Sequence, residues 1–195
     1  VNPQGCHVSS FKAPSLVEAN HDYLWRIHHS VPARGRIVVF NRSHYEDVLV
    51  VRVHKLAPES VWRKRYAHIN AFEQLLADSG TRIIKFFLNI SKDEQKARQL
   101  ERIDNPHKNW KFNARDVEER AFWDDYMGAY EEAIRATAAP HAPWYVIPAD
   151  RKWFMRLAVM AATIAEMESL DLKFPELSDA AKAKLMTARK ALEAD

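Results

Sequence analysis

The chain has 195 residues, of which 47% are hydrophobic and 28% are charged, a composition that is ordinary for a globular protein and unlike that of a disordered one. This length suits one domain with an appended lid or tail. The 29 basic and 26 acidic residues leave a net charge of +3, which is too balanced to indicate nucleic-acid binding by itself.

Cysteine content and hydropathy indicate the cellular compartment in which the protein is expected. Cys6 is the only cysteine, so no intrachain disulfide can form, and we expect a reducing, cytoplasmic location. No apolar run approaches the roughly 18 residues that span a bilayer, and we expect no membrane partner. The first residues, VNPQG, lack the basic region and apolar core of a signal peptide. The sequence does not begin with methionine, so we expect its gene to start upstream.

Short apolar runs alternate with longer helical patterns along the chain. Strands are predicted at 6–11, 36–40, 81–90 and 144–147, and helices at 16–29, 60–78, 92–103, 114–137, 152–170 and 178–193. Residues 48–53 fit either a strand or the start of a helix. This alternation predicts an α/β fold in which a parallel sheet is flanked by helices in three layers.

Polar and aromatic residues follow the second predicted strand, in the order Asn41, Arg42, Ser43, His44, Tyr45, Glu46 and Asp47. Right-handed crossovers place the carboxyl ends of parallel strands along one edge of a sheet, where open α/β proteins hold their active sites. We therefore expect this cluster, the helix after Ile90 and Asp150 to line one crevice.

The side chains of this cluster suit phosphate chemistry. The forked guanidinium of Arg42 matches a phosphate group, and Glu46 and Asp47 are suited to hold a hydrated magnesium ion. The alternative is an internal ion pair of Arg42 with one of these carboxylates. For His44 and Tyr45 the alternative is packing or helix capping.

Basic residues are concentrated between 92 and 111, namely Lys92, Lys96, Arg98, Arg102, His107, Lys108 and Lys111. Ser91 and Glu94 match a capping box, and a helix N-terminus attracts anions. These features predict a mobile helical lid that closes over phosphoryl groups. A solvated helix face is the alternative, and nucleic-acid binding through this segment is disfavoured because few aromatic residues accompany it.

The sequence lacks the motifs of zinc sites and of serine hydrolases. The nine histidines show no HExxH motif and no Cys/His pair at zinc spacing. Ser43 does not lie in a G-x-S-x-G turn. We therefore expect neither a zinc site nor serine hydrolase chemistry.

Five stretches carry a resemblance to a known family: VNPQGCHVSSFKAPS, HDYLWRIHH, FNRSHYEDVLVVRVH, FFLNISKDEQKARQLERIDNPHKNWKF and APWYVIPADRKWFMRLAV. Together they resemble the polyphosphate kinase 2 family, and FNRSHYEDVLV is closest to the branch that phosphorylates nucleoside mono- and diphosphates. The resemblance covers one kinase domain, residues 1–177, and leaves 178–195 as a C-terminal helical tail.

This resemblance implies a P-loop kinase fold similar to thymidylate kinase, with a helical lid at about 92–125. It implies magnesium-dependent transfer of phosphoryl groups between inorganic polyphosphate and AMP or ADP. It also implies a homo-oligomer whose partners are polyphosphate and nucleotide, without nucleic acid.

The matched motifs assign roles to individual residues. Asn41 and Arg42 match the strand-end motif that faces the phosphates, and Tyr45 is counted with the substrate-binding residues. Glu46 and Asp47 match an acidic pair, of which Asp47 is favoured for the magnesium side. Four residues match the cations of the lid: Arg98, Arg102, Lys108 and Lys111.

One departure from the family concerns the Walker A loop. With glycine only at Gly5, Gly35, Gly80 and Gly128, no G-x-x-x-x-G-K-[ST] motif can be written. In the family, this loop precedes the piece that matches residues 1–5. We therefore expect an N-terminally truncated sequence that lacks the loop and its strand and exposes a strand edge. An inactive remnant that still binds polyphosphate is the alternative function.

Overall fold

The computed structural model describes residues 3–194. The predictions that concern Val1, Asn2 and Asp195 lie outside the described residues. The chain divides into two compact units, Val1–Arg156 and Leu157–Asp195. All of the predicted site residues belong to the first unit.

The described strands form two parallel pairs. β1 (Cys6–Ser10) pairs with β2 (Ile37–Asn41), and β3 (Lys85–Asn89) pairs with β4 (Trp144–Pro148). The chain is therefore α/β with parallel strands, as the alternation predicts. Among the described strands, each is hydrogen-bonded to a single neighbour, so the structure shows two two-stranded sheets where one sheet was expected.

Nine α-helices accompany the strands in the described part of the chain: α1 (Leu16–Ala19), α2 (Trp25–His28), α3 (Glu46–Val53), α4 (Glu59–Asp78), α5 (Lys92–Asp104), α6 (Ala114–Glu118), α7 (Trp123–Thr137), α8 (Lys152–Glu168) and α9 (Asp179–Glu193). The ambiguous segment 48–53 is helical and belongs to α3. Val48 and Leu49 are fully buried, so packing outweighs the strand preference of its valines.

Two predicted helices are interrupted. The segment 16–29 forms two helices, α1 and α2. Ser15 and Glu18 make a complete capping box at the start of α1. Asp22 then accepts a hydrogen bond from the amide of Leu24 and begins a new turn. The segment 114–137 forms α6, a 3₁₀ turn at Glu119–Phe122, and α7.

The main core lies between α3, α4 and α7. Val48, Ile69 and Ala129, one from each helix, are fully buried within it. The two sheets are less well covered, since Val8, Val39 and Val146 are each at least 50% exposed. Parallel sheets are usually covered on both faces. Here, in contrast, part of the apolar strand surface is open to solvent.

A buried ion pair joins β3 to these helices. Lys85 Nζ donates to Glu73 Oε2 at 2.6 Å, to the Tyr45 hydroxyl at 2.9 Å and to the Thr137 carbonyl at 3.0 Å. The Tyr45 hydroxyl donates to Glu73 Oε1 at 2.9 Å, and His44 Nε2 lies 3.2 Å from the same oxygen. The network thus connects β3, α4, the end of α7 and the loop that follows β2.

The network stabilises a charged carboxylate in the interior. Glu73 is 1% exposed, and burial alone would raise its pKa, but the hydrogen bond from His44 and the charge of Lys85 outweigh burial and lower it. Removing one partner of such a pair leaves an uncompensated charge in the interior.

The Lys85→Met substitution is expected to lower the free energy of unfolding by about 3–5 kcal/mol, because Glu73 loses its counter-charge. The double variant Lys85→Met/Glu73→Gln should be less destabilised than the sum of the two single variants. Urea denaturation of the four proteins measures this coupling. Simple additivity would contradict it.

Acid should weaken the same interaction. Because the pKa of Glu73 is lowered in the folded state, its contribution is present above the ordinary carboxylate value of 4.5 and is lost as the pH falls through the folded value. The stability difference between wild type and Glu73→Gln should therefore be largest near neutral pH and shrink below about pH 4.5. Denaturation at a series of pH values measures it, with exposed Glu118→Gln as the control, and a constant difference would argue against it.

Candidate functional site

The loop after β2 turns sharply at Arg42. The φ angle of Arg42 is 60°, in the left-handed region that residues other than glycine usually avoid. Such a conformation costs about 1–3 kcal/mol and persists where the surrounding structure fixes it. Here the buried His44 and Tyr45 hold the loop through Glu73, and the side chain of Arg42 remains exposed.

Tyr45 was predicted to bind substrate, and the structure places its side chain in the interior. It is 4% exposed, and its hydroxyl is bonded to Glu73 and Lys85. Burial and the nearby carboxylate of Glu73 raise its pKa. The buried hydrogen bonds of Tyr45 therefore fix the position of the loop after β2.

Arg42, Glu46 and Tyr130 influence one another electrostatically near the end of β2. Burial raises the pKa of Glu46, and the guanidinium of Arg42 opposes that shift. Burial also raises the pKa of Tyr130 to about 12; Glu46 adds to the increase and Arg42 opposes it. The Tyr130 ring packs against Phe87 of β3 with the ring centroids 4.5 Å apart. Tyr130 therefore lies beside β3.

Asp47 faces different partners from Glu46. Its Oδ1 lies 3.1 Å from Arg65 Nη1, which also donates to the Asp47 carbonyl at 2.8 Å. The guanidinium of Arg65 lies 4.8 Å from the ring centroid of Tyr23. Burial raises the pKa of Asp47, and Arg65 opposes that shift. The predicted acidic pair thus has different surroundings, since Asp47 is bonded to Arg65 and Glu46 is influenced by the charge of Arg42.

A cavity of about 290 Å³ lies next to Asp47 and is lined by residues of the 14–26 segment and by Arg65. Arg26, which lines it, is 8% exposed and donates to the Lys12 carbonyl at 2.8 Å. Sequence reasoning assigned no role to Arg26, Arg65 or Tyr23. The one available signal was the stretch HDYLWR, which contributed to the family resemblance.

The start of α5 meets the end of β4, as expected. The Ser91 amide donates to Asp150 Oδ1 at 2.7 Å, and Ser91 Oγ accepts from the Glu94 amide at 3.1 Å. Only half of the predicted capping box forms, because Asp150 occupies the Ser91 amide and the Glu94 carboxylate binds Arg98 at 2.8 Å. A cavity of about 660 Å³ lies at this junction.

The predicted lid cations have partners within the chain. Arg98 donates to the carbonyls of Ala149 at 2.7 Å and Asp150 at 3.0 Å. The other three contacts are Arg102 with Asp116 at 3.2 Å, Lys108 with Glu101, and Lys111 over the ring of Trp110. The ion pairs of Arg102 and Lys108 are about a third or more exposed on both sides, and such pairs contribute about 0–1 kcal/mol each.

The structure brings only part of the predicted site together. No hydrogen bond or ion pair within residues 3–194 joins Arg42 to the 92–111 segment. The described residues contain no group of three or more His, Cys, Asp and Glu side chains placed to hold a metal ion. None of the described helices is long and apolar enough to cross a membrane.

Comparison with known proteins shows the family. The sequence model of polyphosphate kinase 2 matches residues 1–175. The chain belongs to the polyphosphate kinase 2 family.

Relatives and a solved structure agree with this assignment to polyphosphate kinase 2. The AMP/ADP-polyphosphate phosphotransferase of Meiothermus ruber is 54% identical over 176 residues, which are 90% of this chain and 66% of that protein. The ADP-polyphosphate phosphotransferase of Rhodopseudomonas palustris is 51% identical and is matched over 98% of this chain and 71% of its own length. The crystal structure of polyphosphate kinase 2 from Arthrobacter aurescens superposes with a TM-score of 0.90 at 47% identity, covering 96% of this chain and 67% of that one.

The chain spans about two thirds of the length of these polyphosphate kinase 2 relatives. Within this shared region, the fold is similar to that of a crystal structure.

Arg98 should support the junction of α5 with β4. The Arg98→Ala substitution removes charged hydrogen bonds to two carbonyl groups, and we expect amide hydrogen exchange to accelerate about tenfold or more at residues 89–95 and 148–151. Mass spectrometry of peptide fragments measures this change. Lys96→Ala, an exposed position on the same helix, is the matched control, and equal exchange in the two variants would contradict this role.

Proposed function

We propose that this protein, as a polyphosphate kinase 2, transfers phosphoryl groups between inorganic polyphosphate and AMP or ADP with Mg²⁺. The observation that carries the proposal is the loop after β2, anchored through His44 and Tyr45, in which Arg42 and Glu46 influence each other electrostatically. It lies in a chain 54% identical to a protein named AMP/ADP-polyphosphate phosphotransferase. The cationic guanidinium and the neighbouring carboxylate are the two groups that a phosphate with its magnesium ion requires.

We also propose the finer architecture that this function requires. It comprises a three-layer P-loop kinase fold over residues 1–177, a helical lid at about 92–125 and a separate tail at 178–195. The TM-score of 0.90 with the Arthrobacter aurescens enzyme supports a shared arrangement of helices and strands. The exposed valines of the strands are consistent with a further layer over the sheets.

Arg42 and Glu46 would have different roles at the end of β2. Arg42 is exposed at a fixed backbone position and would orient the phosphoryl groups with its forked N–H donors. Glu46 fits a magnesium site, since a hydrated magnesium ion needs only one or two protein carboxylates besides phosphate oxygens and water. Asp47 is the poorer ligand because one of its oxygens already binds Arg65. When bound, the ion would neutralise the charge that develops on the transferred phosphoryl group.

The 92–111 segment would supply additional positive charge. Phosphate oxygens can replace the carboxylates that now bind Arg102 and Lys108, because these half-exposed pairs are weak. Arg98, whose N–H groups bind main-chain carbonyls, would keep the start of α5 in place. Asn41, exposed next to Arg42, remains a predicted substrate contact.

The proposed reaction is an in-line displacement. A phosphate oxygen of ADP or AMP attacks the terminal phosphorus of polyphosphate and forms a new P–O bond. The bond from that phosphorus to its bridging oxygen breaks, and the shortened polyphosphate leaves as an anion. The protein contributes mainly position and charge.

Arg42 should be essential for this transfer. Arg42→Lys keeps the charge but loses the fork, and we expect about a 100-fold lower kcat/KM. Phosphorus NMR of the chain with magnesium, polyphosphate and ADP or AMP measures turnover. Arg36→Lys, exposed just before the opposite end of the same strand, is the matched control and should retain wild-type rates.

This turnover assay, together with a titration of polyphosphate and of ADP into the chain, separates the transferase from the binding remnant. Protein-dependent appearance of the higher nucleotide supports the transferase. A folded chain that binds polyphosphate without turnover supports the binding remnant, and one that binds neither substrate overturns both. The cytoplasmic location and the homo-oligomeric state stay predictions.

A further inference from the structure

A cluster of three polar side chains lies at the end of α3 and is not used by the proposed reaction. His54, the residue that caps the end of α3, places Nε2 2.9 Å from Glu119 Oε2. The Tyr126 hydroxyl donates to the same oxygen at 2.9 Å and lies 3.3 Å from His54 Nε2. These contacts join residues that are 65 and 72 positions apart, so they fix the relation between distant segments of the chain.

The donors and acceptors of this cluster are matched. A carboxylate only accepts hydrogen bonds, so His54 Nε2 must carry a proton, and one oxygen of Glu119 receives two donors. Burial would raise the pKa of Glu119, but the hydrogen bonds from His54 and Tyr126 outweigh it and lower the pKa. The ring of Phe122 packs edge-on against the imidazole of His54 with the centroids 5.0 Å apart. Glu119 is therefore held as a carboxylate in one orientation.

The residue after Glu119 binds a different helix. Arg120 Nη1 donates to the Lys92 carbonyl at 3.1 Å and also to Gln95 Oε1, both near the start of α5. Consecutive Cα atoms are about 3.8 Å apart. The 3₁₀ turn Glu119–Phe122 is thus bound to α3 through one residue and to α5 through the next. A displacement of α5 relative to α3 is resisted by both sets of contacts.

The segment 92–118 is attached to the rest of the fold at both of its ends. At its start, the Ser91 amide donates to Asp150, which follows β4. At its end, Glu119 binds the end of α3 through His54. Three of the cations assigned to the lid lie between these attachments, namely Arg102, Lys108 and Lys111. Their position relative to α3 therefore depends on both attachments.

Helix α3 carries both the second attachment and a carboxylate of the strand-end site. It begins at Glu46 and ends at Val53, directly before His54. Its eight residues span about 12 Å, and the helix is packed in the main core. The distance between Glu46 and the contact of His54 with Glu119 is therefore set by the helix.

We propose that Glu119 is a positioning residue, held by His54 and Tyr126, that fixes the cations of the 92–118 segment relative to the start of α3. This inference rests on the proposed function, in which those cations bind polyphosphate, and Glu119 itself would not touch substrate. When the contact is lost, the segment samples several orientations, and the apparent affinity for polyphosphate falls in proportion to the population of the competent one. The rate at saturating polyphosphate changes little, because binding selects that orientation.

Binding of inorganic tripolyphosphate to the full chain in the presence of magnesium tests this role without turnover. Isothermal titration calorimetry would compare wild type, Glu119→Ala, His54→Ala and His54→Gln. We expect the two alanine variants to raise Kd about tenfold, as when the competent orientation falls to about a tenth of the population. His54→Gln keeps an N–H donor and should stay within about threefold of wild type. Glu118→Ala, at the exposed glutamate one position earlier, is the matched control and should bind like wild type.

Two further measurements separate positioning from general support of the fold. Amide hydrogen exchange within 92–118 should accelerate about tenfold in Glu119→Ala, whereas α4, in the main core, should exchange as in wild type. In the phosphorus NMR assay, KM for polyphosphate should rise about tenfold in the same variant while kcat stays within about twofold of wild type.

The outcomes distinguish the positioning role from the proposed function. Equal tripolyphosphate affinity in Glu119→Ala and Glu118→Ala would overturn the positioning role while the proposed function stands, and so would a loss confined to kcat. Faster exchange in α4 as well as in 92–118 would show a general structural role and would overturn it too. The same holds if His54→Gln binds as weakly as His54→Ala. If wild type neither binds tripolyphosphate nor transfers phosphoryl groups, the proposed function fails and the positioning role fails with it.

Discussion

The buried pair of Lys85 and Glu73 is the constraint on which the rest of the site depends. The three acceptors of Lys85 Nζ come from different parts of the fold, and all of these contacts are buried. An ion pair in the interior is not by itself a strong source of stability, because desolvation offsets much of the attraction. Its effect is geometric, since only one arrangement of β3, α4 and the loop after β2 satisfies all of these donors and acceptors.

This geometric constraint explains how one short loop serves several tasks. His44 and Tyr45 point into the interior, and the residues on either side of them are therefore directed outward. Successive residues on a helix are about 100° apart, so Glu46 and Asp47 at the start of α3 face different surroundings. The different surroundings of the two carboxylates thus follow from helix geometry once the loop is fixed.

The sequence predicted the features that depend on local pattern. Parallel strands, most helices and the strand-end cluster followed from hydrophobic periodicity and polar punctuation. Contacts between distant residues could not be predicted, because no local pattern encodes them: Arg65 binds Asp47 from 18 positions away. The capping box at Ser91 was half right, since Asp150, 59 positions away, competes for its amide. The burial of Tyr45 could not be predicted, because pattern alone does not show which residues of a polar run are buried.

The left-handed backbone of Arg42 places stability in conflict with the proposed role of its side chain. Glycine adopts this conformation without strain, so the residue that would suit the backbone best is the one that removes the guanidinium. Screens for thermostable variants would therefore be drawn towards glycine here and would recover a more stable protein without the guanidinium that the proposed function requires. Selection on heat resistance alone is a poor guide at this site, and position 42 should be held constant when the fold is engineered.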